Sequence, residues 1–132
     1  MILLDTHILI WMDEGSQDLG LTTQKRISKA HSKEQLIVSA ISFWEIGLLI
    51  AKGRLKFDQD LLSWRSQMLS AGLSEIPVDG SVAIQAAGLK KFHGDPADRI
   101  IVATSKLLGA SLVTADKKIL EYRSIKTING RT

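Results

Sequence analysis

HGDPADRIIVAT, His93 to Thr104, is followed closely by SLVTAD, Ser111 to Asp116. A helix N-terminus presents orphan N–H groups and the positive end of a dipole, so Asp95 as N-cap, Pro96 at N1 and Asp98 at N3 read as a helix start. A capping box prefers Glu or Gln at N3, because that side chain must reach back to the N-cap N–H, and Asp98 is a carbon short. One carboxylate caps; the other is surplus to capping. The strand Ser111 to Thr114 then ends just before Asp116, placing another acid where a strand gives way. A helix feeding a short buried strand is one unit of an alternating α/β chain.

Working outward, the same alternation recurs. Ile2 to Leu4 is a short apolar run with Asp5 at its end, followed by a helical stretch from Thr6 to Asp13-Glu14-Gly15. Thr22 is placed to cap a polar helix running to about Ser32, and Leu36 to Ser39 reads as the second buried strand. In SFWEIGLLIAKG, Phe43, Ile46 and Ile50 recur at helical spacing, with Ser42 as N-cap, Glu45 at N3 and Lys52-Gly53 as the stop. Leu61, Leu62, Met68 and Leu69 mark a helix that Gly72 ends, Leu73 to Ile76 a strand that Pro77 ends, and Asp79 to Leu89 a small-residue helix. A last strand is expected near Ile125 to Ile128. Strands of three or four residues joined by helices require crossover connections, hence a three-layer α/β/α fold with a parallel sheet of about five strands.

The 132 residues, 45% hydrophobic, suit one domain spanning 1–132, with no repeat, linker or low-complexity tract. The absence of cysteine excludes disulfides, thiolate zinc sites and a cysteine nucleophile. With no signal-like leader and no apolar run near the roughly 20 residues a bilayer needs, a soluble, cytoplasmic protein away from membranes is expected. The formal charge is +3, but if four acids gather in one site, the remaining surface carries 17 basic residues against ten acidic ones, which suits a polyanion as well as an ordinary basic surface.

Ligand sites in open parallel sheets lie beyond the carboxyl ends of the strands. Asp5 and Asp116 follow strands there, and Glu45 and Asp98 open helices at the same edge. Gathered carboxylates repel one another unless a cation neutralises them, and all-oxygen ligands select a hard ion, Mg²⁺ or Mn²⁺. Each acid also has a plain capping role open to it: Asp5 and Asp116 for the helices that follow, and Ser42 with Glu45 as a capping box. Asp95 and Thr114 are suited to local hydrogen bonding, and Arg99 either to orienting a carboxylate or phosphate or to an ordinary surface ion pair. His7, His31 and His93 stand apart and spell no zinc motif, Trp11, Trp44 and Trp64 suit a core or interface, and Lys25, Lys29 and Lys33 form a one-sign ladder on a solvated helix face.

Asp5-Thr6 after an apolar strand, SFWEI with Glu45, HGDPADRIIVA with Asp98, and LVTAD with Asp116 together resemble the PIN-domain ribonucleases, especially the VapC-type toxins of bacterial toxin–antitoxin pairs. The resemblance spans nearly the whole chain. It implies a five-stranded parallel sheet between helices, and an acidic quartet of Asp5, Glu45, Asp98 and Asp116 holding Mg²⁺ or Mn²⁺, supported by Thr6 and Thr114 with Asp95 nearby. It further implies an endoribonuclease leaving a 5′-phosphate and a 3′-hydroxyl on single-stranded or loop RNA, a cognate antitoxin, and a homodimer. Trp11, Trp44 and Leu48 are candidates either for an antitoxin groove or for the core. One departure concerns position 49: relatives often carry a lysine four residues after the glutamate, and this chain has Leu49.

Two other readings stand beside it. An aspartyl-nucleophile phosphatase or phosphotransferase of the haloacid-dehalogenase kind wants a second Asp two residues after the first, where this chain has His7. A receiver-like, non-catalytic protein-binding α/β module would use the acids as caps; its lysine after the last strand has no clear counterpart, although Lys126 lies within that strand.

Overall fold

β1 (Ile2–Leu4) sits at the centre of a sheet, flanked by β2 (Leu36–Ser39) on one side and β4 (Ser111–Thr114) on the other, with β3 (Ser74–Ile76) and β5 (Thr127–Asn129) at the edges. Every pair is parallel, with Leu3 opposite Ile37 and Leu112. This is the arrangement in a computed structural model that describes residues 1–132. The crossovers are helical: α1 (Thr6–Glu14) and α2 (Leu21–Ser32) after β1, α3 (Ile41–Ala51) and α4 (Leu61–Ser70) after β2, α5 (Gly80–Ala87) and α6 (Pro96–Leu108) after β3, and α7 (Lys117–Leu120) after β4.

Successive strand residues point to opposite faces, and the core divides accordingly. Leu4, Leu36, Val38 and Val113 pack with Ile8, Leu9, Ile27, Ile46 and Trp64, whereas Leu3, Ile37 and Leu112 pack with Leu89, Ile101, Val102 and Ile119. Covered on both faces, the central strands are apolar without alternation, which is why they read as continuous runs. Trp64 fills the first layer, meeting Phe43 and Phe57 edge-on at centroid distances of 5.9 and 5.0 Å. Each fully buried Leu or Ile contributes about 1.5–3 kcal/mol relative to exposure. The three-layer parallel architecture is the one expected from the alternation of elements. No helix is long and apolar enough to cross a membrane.

Three local boundaries differ from expectation, each for a tertiary reason. The N-cap of α3 is Ala40, not Ser42, because the Ser39 hydroxyl accepts the Ile41 N–H at 3.2 Å and starts the turn earlier. The Ser42–Glu45 capping box therefore does not form, and Glu45 lies beyond the first turn. The N-cap of α2 is Gly20, not Thr22: the Gly20 N–H donates to the Gly130 carbonyl at 2.9 Å and the Thr22 N–H to the Thr132 carbonyl at 3.2 Å, so contact with the segment after β5 sets the start. β5 begins at Thr127, two residues after Ile125, because α7 and a turn use up the intervening chain; Ile125 packs on the second face from outside the strand.

The chain lays down β1, β2 and β3 in one direction and then crosses back to β4 and β5 on the other side of β1. The carboxyl ends of β1 and β4 are thus adjacent while their continuations diverge, and this opens a crevice at one edge of the sheet.

Gly20 tests the packing of the α2 start. A Cβ there would overlap the main-chain carbonyl groups of Arg131 and Thr132, so the segment after β5 would have to shift. Gly20→Ala is expected to lower stability by about 1–3 kcal/mol. Gly80→Ala, whose Cβ meets nothing within 4 Å at the start of α5, is expected to be neutral or to gain about 0.4–1 kcal/mol. Urea unfolding midpoints of the two variants check the contrast.

Candidate active site

The crevice is lined by carboxylates. Asp5, Glu45, Asp95, Asp98 and Asp116 face one cleft, with His7, Trp11, Ala115 and Arg131 completing its walls.

Asp5 is the anchor. Its N–H continues the β1–β4 ladder by donating to the Val113 carbonyl at 3.0 Å, which fixes its backbone at the sheet edge. One carboxylate oxygen accepts the Thr6 N–H at 2.9 Å and so caps α1; the other accepts the Thr114 hydroxyl at 2.6 Å. Only 7% of Asp5 remains exposed. Thr114 in turn accepts the Asp116 N–H at 3.0 Å, and Asp116 caps α7 by accepting the Lys118 and Ile119 N–H groups at 2.8 and 3.4 Å with a single oxygen, Oδ1. Capping thus describes Asp5 and Asp116 correctly but leaves Asp116 Oδ2 unengaged.

Glu45 projects from α3 toward the same point. Thr6 Oγ1 lies 2.5 Å from Glu45 Oε1 and 2.8 Å from Ser42 Oγ. Thr6 has one hydroxyl proton; the carboxylate claims it, and the Ser42 hydroxyl supplies the second hydrogen bond. This pair of hydroxyls orients Glu45. Leu49, the residue found where relatives often have a lysine, packs against the apolar core instead.

At the start of α6 the two aspartates divide the work. Asp95 Oδ1 accepts the Asp98 N–H at 2.9 Å and caps the helix. Asp98 does not reciprocate: the Asp95 N–H goes to His93 Nδ1 at 3.3 Å, and the Asp98 carboxylate accepts no hydrogen bond. With Nδ1 accepting, the neutral imidazole of His93 carries its proton on Nε2, which lies 3.3 Å from Asp98 Oδ2 but is poorly aligned for a hydrogen bond.

Arg99 faces neither a carboxylate nor open solvent. Its guanidinium donates to five main-chain carbonyls, those of Ala86, Ala87, Leu89, Phe92 and His93, at 3.0–3.3 Å. It staples the loop between α5 and α6. His7, His93, Trp11 and Arg131 were not singled out for the cleft from sequence. His7 follows Asp5 by two residues, His93 precedes the Asp95 cap by two, and Arg131 lies just past the carboxyl end of β5, so the rule that placed the acids reaches these positions too.

The electrostatics record crowding. Burial raises the Asp5 pKa against the opposing pull of the Thr114 and Thr6 hydrogen bonds and of His7, with Asp116 adding to the rise. Burial likewise raises Glu45, again opposed by its Thr6 hydrogen bond, with Asp5 and Asp95 pushing the same way as burial. Asp98 is pushed up to about 7, first by desolvation and then by the charges of Asp5, Asp95, Asp116 and Glu45. Such a set of half-buried oxygen donors with excess negative charge fits a hard divalent cation. In this arrangement no group of three or more acidic or histidine side chains stands close enough together to hold a metal ion, so binding one requires the carboxylates to draw closer.

These shifts set a pH dependence. An acid whose folded pKa lies above its unfolded value binds more protons folded than unfolded between the two, so its contribution to stability is complete below the lower value and lost as pH rises through the higher. For Asp98 the window runs from 3.8 to about 7. With chelator present, the thermal midpoint is expected to fall as pH is raised from about 5 to about 8. Asp98→Asn should flatten that fall, and Mn²⁺ should restore the wild-type midpoint more at the upper pH than at the lower.

A family model described as PIN domain matches residues 2–124. Ribonuclease VapC22 of Mycobacterium tuberculosis is 35% identical over 123 residues, covering 92% of this chain and 92% of that protein. Among solved structures, VapBC2 from Rickettsia felis bound to a DNA fragment from its promoter aligns with a TM-score of 0.72 at 18% identity over 98% of both chains. A toxin–antitoxin complex from Klebsiella pneumoniae aligns with 0.69 at 19% identity, also over 98% of both. With the family model covering nearly every element that builds the acidic crevice, the chain belongs to the PIN domain family.

Proposed function

We propose that this chain is a Mg²⁺- or Mn²⁺-dependent endoribonuclease and the toxin of a toxin–antitoxin pair. The observation that carries the reading is the Asp98 carboxylate: crowded by four other acids, accepting no hydrogen bond, with His93 Nε2 beside it at 3.3 Å, and pushed toward protonation, it has the chemistry of a metal ligand. A relative 35% identical over almost the full length bears the name ribonuclease.

Within that reading the residues have distinct tasks. Asp5, locked by Thr6 and Thr114, presents fixed negative charge at the floor of the cleft. Asp98 and Asp116 offer unengaged oxygens to the cleft. Glu45, held by the Thr6 hydroxyl, adds a further carboxylate, and Asp95 holds the first turn of α6 so that Asp98 keeps its place. When bound, a divalent ion supplies activation of water and neutralises charge on phosphoryl oxygens during in-line attack. RNA fits as substrate because unpaired strands can be drawn into an open cleft at a sheet edge. An aspartyl-nucleophile phosphatase is disfavoured: Asp5 is almost fully buried, and both of its oxygens already accept hydrogen bonds.

The antitoxin belongs to the same proposal. Trp44 and Leu48, four residues apart on α3, are 52% and 36% exposed, while Trp64 is core. Large apolar side chains at helical spacing beside an acidic cleft suit an amphipathic partner helix.

Cleavage of single-stranded RNA is expected to require Mg²⁺ or Mn²⁺ and to stop with chelator. Asp98→Asn should lose about 100-fold or more, beyond the roughly 10–100-fold typical of removing an outer partner of a ligand. Asp95→Asn keeps a competent N-cap and should lose less. Initial rates on a labelled RNA, with circular dichroism to confirm folding, decide it. Undiminished cleavage by folded Asp98→Asn overturns the assignment.

A further inference from the structure

Beside the acids lies a surface of the opposite sign. Lys90, Lys91, Lys106 and Arg123 line one open cleft in which Glu121 is the single acid, and all four cations are exposed. Lys91 and Lys118 line an adjoining cleft together with Phe92, His93 and Tyr122. The two clefts share Lys91, Glu121 and Tyr122, and His93 and Lys118, which line the second of them, stand beside the acidic site: His93 Nε2 is 3.3 Å from Asp98 and the Lys118 N–H donates to Asp116.

The loop presenting Lys90 and Lys91 is rigidly built. Arg99 gathers the carbonyls of Leu89, Phe92 and His93, and the Tyr122 hydroxyl donates to the Lys90 carbonyl at 2.9 Å. Lys91 is held at φ +58°, a conformation uncommon outside glycine. With its carbonyls turned inward, the loop leaves the main-chain N–H groups of residues 90–94 without a protein acceptor. Main-chain amides without a protein acceptor, set beside lysines, suit an anion.

We propose that this surface is the path of the RNA backbone: phosphodiester groups of a single strand lie against Lys90, Lys91, Lys106 and Arg123 while the bond to be cut reaches Asp98. The choice of RNA as the polyanion rests on the ribonuclease reading above. The physical need is plain, because five carboxylates repel a polyanion and neighbouring cations hold the strand where the acids alone would expel it. Only Tyr122 in the basic cleft has an apolar body, whereas a protein partner prefers an apolar centre.

The test is binding of a fluorescent 12-nucleotide single-stranded RNA by anisotropy, in chelator so that nothing is cut, across a salt series. Lys90→Gln/Lys91→Gln/Arg123→Gln should weaken binding about 10-fold or more at 0.1 M salt and reduce the slope of log affinity against log salt by about 2, at roughly 0.7 for each phosphate no longer neutralised. Lys25→Gln/Lys29→Gln/Lys33→Gln makes the same charge change on α2, on the opposite layer of the sheet, and should leave the slope unchanged. Equal weakening by both triples would mean bulk charge alone and overturns the proposal, as does no weakening by the first. Loss of poly-glutamate binding by the first triple with RNA binding intact would also overturn it, in favour of an acidic protein partner. Because nothing is cut in this assay, a protein that binds as expected but cleaves no RNA would sink the ribonuclease reading and leave the backbone path standing. Cleavage with unaltered slopes would do the reverse.

Discussion

The hydrogen bond from the Thr114 hydroxyl to the Asp5 carboxylate, 2.6 Å long and closed off from water, joins the ends of the two parallel strands between which the order of strand addition reverses. A charge buried at such a place is costly unless its lone pairs are filled. Thr114 and the Thr6 N–H fill them, and in doing so they fix the start of α1 against the end of β4. Remove that pair and the crevice loses its floor, since Asp116 takes its orientation from the same threonine.

From that anchor the other carboxylates are arranged by hydroxyls and caps. Thr6 passes the constraint to Glu45 and Ser42 on α3, Asp95 places Asp98 by capping α6, and Arg99 fixes the loop that delivers both His93 and Asp95. Stability and function pull in opposite directions here. The apolar layers above and below the sheet supply the favourable free energy, while the acids at its edge oppose folding unless protonated or neutralised. Natural proteins commonly carry such local conflict where they act.

Much of the framework was legible in the chain because parallel strands buried on both faces are largely apolar without alternation, as ILL, LIVS and SLVT are apart from their terminal hydroxyl residues. The acids could be placed at one edge because strand ends and helix starts alternate there by topology alone. Serines and threonines were less legible. Ser39, Ser42, Thr22 and Thr23 are all competent to cap, and the choice among them is made by residues far away: Thr6 occupies Ser42, the segment after β5 sets the start of α2, and the Asn129 carbonyl takes the Thr23 hydroxyl. Arg99 was misjudged for a related reason. Reasoning from charge looks for a carboxylate or phosphate, whereas this guanidinium is satisfied by carbonyl dipoles that exist only once the α5–α6 loop has closed. His93 was set aside with the other histidines because its partner is made by a turn, not by periodicity.

The strand order has a bearing on how the molecule comes into being. β1 is synthesised well before β4, which occupies its second side, and Asp5 well before Thr114. The cleft therefore cannot form until β4 has been made, since Asp98 and Asp116 come after β3 and β1 until then has a neighbour on one side only. Until then the nascent chain carries half of a centre.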